Sequence, residues 1–205
     1  MPEPVQDAAQ RLVVAPSELV LGGQRSGKSR RAEMLARAWL KQSSDHGAVL
    51  IATAQPWDDE MRGRIQRHRR DRARRVPAMQ TIEEPLALAD AIAQHGRAGT
   101  LVVVDCLTLW LTNLLMPHRS QGAAPVQPAM SADYAWRDAL VRAIENSAGP
   151  VVLVSNEIGL GVIPLGPQVR QFVDALGHLN QHMAQLCTRV TLMAAGLPLM
   201  LKDVA

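Results

Sequence analysis

Residues 18–29 read Glu18-Leu19-Val20-Leu21-Gly22-Gly23-Gln24-Arg25-Ser26-Gly27-Lys28-Ser29. A short apolar, β-prone run leads into a glycine-rich turn. The segment after it, Lys28–Lys41, has helical spacing with Met34, Leu35 and Ala38 on one side. Gly22 to Ser29 fits the pattern G-x-x-x-x-G-K-[ST], and a strand before with a helix after is the context in which that spacing means phosphate binding. The glycines let the backbone curl so that amide N–H groups face phosphate oxygens, and the helix N-terminus adds the positive end of its dipole. Lys28 is expected to reach the β- and γ-phosphates, and the Ser29 hydroxyl to bind Mg²⁺. The competing reading is a glycine-rich turn before an unrelated helix.

Outward from this loop, strand and helix signals alternate. Ala48–Thr53, Leu101–Val104, Val151–Ser155 and Val190–Ala194 are continuous apolar runs rich in β-branched residues, with Met79–Ile82 and Leu197–Leu201 as weaker strand candidates. Helices are expected from an Asp58 cap to Arg75, from Pro85 to His95, over Leu107–Met116, over Ser131–Ser147 and over Gln168–Leu186. Pro117–Met130 and Gly159–Pro167, rich in proline and glycine, read as loops. This pattern predicts an α/β protein of the P-loop NTPase (RecA-like) class, with a mainly parallel sheet and helices on both faces. Residues 1–17 are expected to be a flexible N-terminal extension, and 18–205 a single nucleotide-binding catalytic domain. Ligands in such sheets bind beyond the C-terminal strand ends. Asp105 closes the strand Leu101–Val104, where a carboxylate holds the Mg²⁺ shell, chiefly through metal-bound water; the alternative is a helix-capping acid.

The chain has 205 residues, 47 % hydrophobic and 20 % charged, which excludes disorder throughout. No apolar run reaches the ~18 residues that span a bilayer, and the N-terminus lacks a signal-peptide pattern, so a cytoplasmic location is expected. Cys106 and Cys187 lie far apart in apolar surroundings and read as buried thiols. The net charge is +3 and the pI about 9.3. Arg62 to Arg75 alone contains eight arginines and one acid, a local +7, so the rest of the chain carries −4. Such asymmetry implies an anionic partner.

Met61, Ile65, His68 and Arg72 fall on one helical stripe in that segment, with Met61 and Ile65 expected to anchor the inner face. Arg64 and Arg72 lie one turn to either side of His68, and Arg69 adjoins it. A neutral imidazole is a nucleophile toward phosphorus, and guanidinium groups hold polyphosphates and offset charge on a reacting phosphoryl group. The residues alone leave two other readings open: a solvated basic face with an incidental histidine, and a nucleic-acid-binding NTPase. Against the second, the chain has one Tyr and one Phe, and no aromatic residue interleaves with the arginines to stack bases.

From about Glu18 to Lys202 the chain resembles the bifunctional adenosylcobinamide kinase / adenosylcobinamide-phosphate guanylyltransferase family of cobalamin biosynthesis (the CobU/CobP type). The resemblance rests on ordered blocks. They begin with Gly22 to Ser29, Ile51-Ala52-Thr53-Ala54, Asp59-Glu60-Met61 with Arg64-Ile65, His68-Arg69 and Glu83-Glu84-Pro85. Asp105 to Trp110 with Asn113-Leu114-Leu115, Ser155-Asn156-Glu157-Ile158-Gly159, and Gly177 with Asn180-Gln181 complete the set.

The resemblance implies two reactions on one scaffold. The hydroxyl of adenosylcobinamide is phosphorylated with ATP or GTP. GMP then passes from GTP to adenosylcobinamide phosphate through a GMP–histidine intermediate, giving adenosylcobinamide-GDP and pyrophosphate. The family's histidine falls on His68. By the same resemblance Ala52, Thr53, Ala54, Arg69, Arg70, Asp71, Arg72, Glu83 and Asp105 line the nucleotide site, and a homo-oligomer, a trimer, is expected, with no nucleic-acid partner. Glu83 is suited to accept from the guanine N1 and N2 donors. Asn156 and Glu157, at a strand end, are candidates to meet the corrinoid or the nucleotide; the alternative is loop-stabilising hydrogen bonds. Val173 stands where the family commonly has an arginine, which puts an anion contact there in doubt.

Overall fold

The computed structural model describes residues 12–116, 135–161 and 164–204. Among the described residues, seven strands form one sheet: β1 (Ser17–Gly22), β2 (Gly47–Ala52), β3 (Gln80–Glu83), β4 (Thr100–Asp105), β5 (Val151–Val154), β6 (Arg189–Ala194) and β7 (Leu197–Asp203). Their spatial order is β3-β2-β4-β5-β1-β6-β7. Every pair is parallel except β6–β7. One strand, β5, separates the phosphate-loop strand β1 from β4, which ends in Asp105. That insertion is the RecA-like arrangement. The antiparallel last pair follows from its turn: Ala194 pairs with Leu197, leaving Ala195 (φ 52°) and Gly196 (φ 84°) as a two-residue loop with positive φ at both positions.

The helices are α1 (Lys28–Leu40), α2 (Asp59–Arg75), α3 (Leu88–His95), α4 (Leu107–Leu115), α5 (Ala135–Glu145) and α6 (Pro167–Leu186). Strand periodicity sorts side chains into two cores, because successive residues face opposite sides of a sheet. Leu19, Leu21, Val102, Val104, Val151 and Leu153 pack with Leu88, Trp110, Leu140 and Leu176 from α3 to α6. Their neighbours Val20, Leu101, Val103, Val152 and Val154 face the other way, onto Ala32, Leu35 and Ala36 of α1.

Helix α2 belongs to neither core. Met61 and Ile65 are only half-buried, His68 is exposed, and the one buried side chain of the helix is Arg72. The expected apolar inner face is therefore replaced by polar attachment. Asp58 caps the N-terminus by accepting from Met61 N–H at 2.7 Å. Arg69 pairs with Glu83, Arg72 Nε donates to Thr81 Oγ1 at 3.2 Å, and Arg75 Nη1 lies 2.7 Å from Glu33 Oε2. Residues 69, 72 and 75 share one face, so three arginines fasten the C-terminal half of the helix to β3 and α1.

Other differences are local. In α1, Ala32, Leu35 and Ala36 are buried and Met34 is 47 % exposed, because the phosphate loop fixes where the helix begins and hence its phase. α3 starts at Leu88, not Pro85. Glu84 Oε1 accepts from Leu86 and Ala87 N–H at 2.9 and 2.8 Å, which holds Pro85 in a turn before the helix. Within the expected extension, Ala15 is buried, Val13 O accepts from Arg189 Nη1 at 2.6 Å and Pro16 O accepts from Val151 N–H at 3.0 Å. Residues 13–16 are thus pinned along the sheet. The loop over Pro117–Met130, the expected start of the next helix at Ser131, and residues 1–11, 162 and 163 lie outside the described residues. No described helix is long and apolar enough to cross a membrane.

Candidate active site

The phosphate loop joins β1 to α1, and close approach of β6 and the β6–β7 turn dictates two of its glycines. Gly22 has φ 149°, and a Cβ there would lie 2.5 Å from Met193 O. Gly27, the N-cap of α1, has φ 104°, and a Cβ there would lie 3.2 Å from Gly196 Cα. Gly196 N–H donates to Ser26 O at 3.0 Å, so the β6–β7 turn braces the loop from behind.

Lys28 is 7 % exposed. Its ammonium donates to Gly22 O (2.8 Å), Gly23 O (2.7 Å) and Asn156 Oδ1 (2.8 Å), which uses all three protons. Burial pulls its pKa below the ordinary lysine value, against the opposing pull of Cys106 and Asp105; the Arg64 guanidinium lowers it further. Ser29 Oγ donates to Asp105 Oδ1 at 3.3 Å. Hydroxyl and carboxylate come from α1 and β4 and meet at the strand ends. This pair of hard oxygen donors, half-buried and open on the phosphate side, suits Mg²⁺, which keeps several waters and takes few protein ligands.

A cleft of about 420 Å³ runs from this loop to α2. Gln24, Arg25, Ser26, Gly27, Lys28 and Ser29 form one end, with Asp105 and Asn156. Ala52, Ala54 and Glu83 form the other, at the ends of β2 and β3, and α2 covers it with Arg64, His68, Arg69, Asp71 and Arg72. The exposed histidine and the phosphate-loop lysine thus line one cavity. Five sequence candidates are not in that lining: Gly22 and Gly23, whose carbonyls accept from Lys28, and Thr53, Arg70 and Glu157. Arg70 is exposed outside the cleft lining. Thr53 is fully buried; its Oγ1 donates to Cys106 O at 2.8 Å and accepts from Cys106 N–H at 2.9 Å, fastening the ends of β2 and β4 together. Glu157 faces Asn180, whose Nδ2 donates to its Oε2 at 3.3 Å. Arg72 lines the cleft, but its guanidinium is buried on Thr81, and burial lowers its pKa from the usual arginine value.

Several supporting side chains belong to the quoted sequence blocks but had no role assigned from the sequence. Asn113 Nδ2 donates to Thr53 O at 2.8 Å and Pro85 O at 3.1 Å, setting the β2 and β3 ends at the cleft. Thr108 and Asn180 hold the backbone of Asn156. They are polar residues in amphipathic helices, and only the packing of α4 and α6 against the strand ends reveals what they touch.

Residues 18–201 match the CobU family, described as cobinamide kinase / cobinamide phosphate guanyltransferase. The chain is 47 % identical over 188 residues to a Pseudomonas aeruginosa protein named bifunctional adenosylcobalamin biosynthesis protein CobP, covering 90 % of this chain and 96 % of that one. It is 35 % identical to the Escherichia coli bifunctional adenosylcobalamin biosynthesis protein CobU, covering 90 % and 98 %. Among solved structures, the flagellar accessory protein FlaH from Methanocaldococcus jannaschii shares the fold, with a TM-score of 0.52 at 11 % identity over 96 % of this chain and 84 % of that one. On the family match and these identities, the chain belongs to the cobinamide kinase / cobinamide phosphate guanyltransferase family.

Proposed function

We propose that this protein phosphorylates adenosylcobinamide with ATP or GTP and then transfers GMP from GTP to the product, with His68 as the nucleophile of the second reaction. The observation that supports this most directly is that His68 and Lys28 line the same cleft, one on α2 and the other in the phosphate loop.

The sheet order gives the cleft a direction. β3, ending in Glu83, lies three strand spacings from β5, which precedes Asn156, or roughly 14 Å at ~4.8 Å per strand. A triphosphate with its γ end at Lys28 and its base toward Glu83 brings the α-phosphate between them, beneath α2. An imidazole nitrogen of His68 forms a bond to the α-phosphorus, the bond from that phosphorus to the bridging oxygen breaks, and pyrophosphate leaves with the electron pair. A phosphate oxygen of the cobinamide phosphate then displaces the imidazole, which takes back its electron pair. Two displacements replace one difficult step. Ser29, and Asp105 through water, would hold Mg²⁺, which would neutralise charge on the phosphates. Arg25, Arg64 and Arg69 add fixed positive charge along the path. Glu83 selects guanine, and Glu157 remains a candidate for the corrinoid.

A cytoplasmic homo-oligomer, with a trimer as the expected state, completes the reading. Leu197, Leu199 and Leu201 on the edge strand β7 are all more than half exposed, which supports association. Light scattering on the purified protein tests it. The mechanism is tested by intact mass after incubation with GTP and Mg²⁺. One acid-labile GMP per chain is expected, absent in His68→Ala. No adduct in the wild type, alongside intact cobinamide phosphorylation, would leave a kinase alone.

A further inference from the structure

Of the three bonds that hold the Lys28 ammonium, two go to carbonyls of its own loop and one crosses to Asn156. The crossing partner is itself fixed at both ends. Asn156 N–H donates to Thr108 Oγ1 at 2.9 Å, and Asn156 O accepts from Asn180 Nδ2 at 3.0 Å. Asn180 Oδ1 in turn accepts from Ser155 Oγ at 2.7 Å, which fixes the orientation of the amide. Thr108, Asn180 and Ser155 are all buried. Glu157 N–H also donates to Gly22 O at 3.1 Å, so the chain after β5 is stitched to the start of the phosphate loop. Four elements, β1, β5, α4 and α6, therefore converge on the placement of one carboxamide oxygen. Merely closing a surface loop does not need a partner of this kind, because a buried polar network is costly wherever a member is unsatisfied.

We propose that Asn156 steers Lys28 for the phosphoryl-transfer half-reaction, and that Thr108 and Asn180 are positioning residues acting through it. The ammonium must leave the Gly22 and Gly23 carbonyls to meet a phosphate. Asn156 Oδ1 keeps one of its protons engaged on the β5 side, so that the ammonium pivots toward the γ-phosphate without being freed into the cleft. The carboxamide suits this task because it holds the cation with a dipole. A carboxylate there would trap it with a full charge. The same contact bears less on attack at the α-phosphate, where Lys28 meets the departing pyrophosphate and not the phosphorus under attack. Two reactions in one cavity thus depend unequally on one asparagine.

This inference rests on the kinase reading of the site, and its test separates the two. Cobinamide phosphorylation (kcat, and KM for nucleotide), the single-turnover rate of GMP adduct formation, and Tm are measured on full-length Asn156→Ala, Asn156→Asp, Thr108→Val and Thr108→Ser. Asn156→Ala is expected to lower phosphorylation kcat about 10–100-fold and the adduct rate by a factor at least about fivefold smaller, with nucleotide KM within about threefold of wild type. Asn156→Asp is expected to be at least as slow. Thr108→Val is expected to lower kcat about 3–10-fold and Thr108→Ser, which keeps the acceptor oxygen, to restore it. An unchanged kcat in Asn156→Ala, equal losses in both half-reactions, or identical behaviour of the two Thr108 variants overturns the proposal. If Asn156→Ala does not fold, the Thr108 pair decides. Wild-type protein without phosphorylation activity would instead remove the kinase reading beneath it.

Discussion

Arg75 Nη1 lies 2.7 Å from Glu33 Oε2, joining the last turn of α2 to the helix that follows the phosphate loop. The carboxylate is nearly buried while the guanidinium is half exposed. Its hydrogen bond to Glu33 raises the Arg75 pKa above the usual arginine value. The helix that carries His68 is thereby referenced to the helix that carries Lys28 and Ser29.

Arg75→Ala leaves a buried carboxylate without its partner and is expected to cost about 1–3 kcal/mol of stability. Glu33→Gln keeps the shape and costs less. The double variant should be less destabilised than the sum of the two by at least about 0.5 kcal/mol, as contacting residues are. Denaturant unfolding of the four proteins of the cycle measures this, and additive losses would show that the pair is not coupled.

Glu83 pairs with Arg69 with both side chains about half exposed. Such pairs contribute little to stability, so Glu83→Gln is expected to change it by less than about 1 kcal/mol. If Glu83 accepts from the guanine N1 and N2 donors, the same substitution lowers the preference for GTP over ATP in adduct formation by about 10²-fold or more. Competition between the two nucleotides in a single-turnover assay reads the ratio directly.

Asp105→Asn keeps the volume at the end of β4 and removes the charge beside Ser29 Oγ. Half-saturation by Mg²⁺ is expected to rise about 10–100-fold for both half-reactions. A Mg²⁺ titration unchanged from wild type would refute a metal role for Asp105. Ser29→Ala should shift it in the same direction.

Burial pushes the Cys106 thiol up to about 11, with the Asp105 charge adding to the effect, and burial likewise raises Cys187 to about 12. Both pKa values are raised on folding. The contribution of each thiol is thus fully present below the unfolded-state pKa of about 9 and is lost as pH rises toward the folded value. Between pH 9 and 11, Cys106 alone removes roughly 2–3 kcal/mol. Stability of Cys106→Ala should fall less steeply over that window than wild type. At pH 8 neither thiol in the native protein should react readily with a thiol reagent.

Much of the site was legible in residue order because its parts are local. Gly22 to Ser29 needs only a strand before and a helix after to become a phosphate loop, and Asp105 needs only to end the next strand but two. The helix cap at Asp58 and the arginine-dense run after it are also short-range features. The sheet order was not legible, since parallel strands far apart in sequence pair through packing that no local pattern encodes. The attachment of α2 was misread for the same reason. Met61 and Ile65 have the spacing of a buried face, yet they line the cleft, and the contacts to Thr81 and Glu83 at the sheet edge are made by Arg72 and Arg69.

The sequence by itself determined an α/β nucleotide-binding protein with a phosphate loop at residues 22–29 and, through its ordered motifs, the family. Only the tertiary structure decided which side chains share the cleft. It placed His68 opposite the phosphate loop, buried Thr53 between two strand ends, left Arg70 outside and turned Asn156 onto Lys28. Strand and helix signals depend on neighbours within a turn or two, whereas Lys28 and Asn156 are 128 residues apart and meet because β5 lies next to β1.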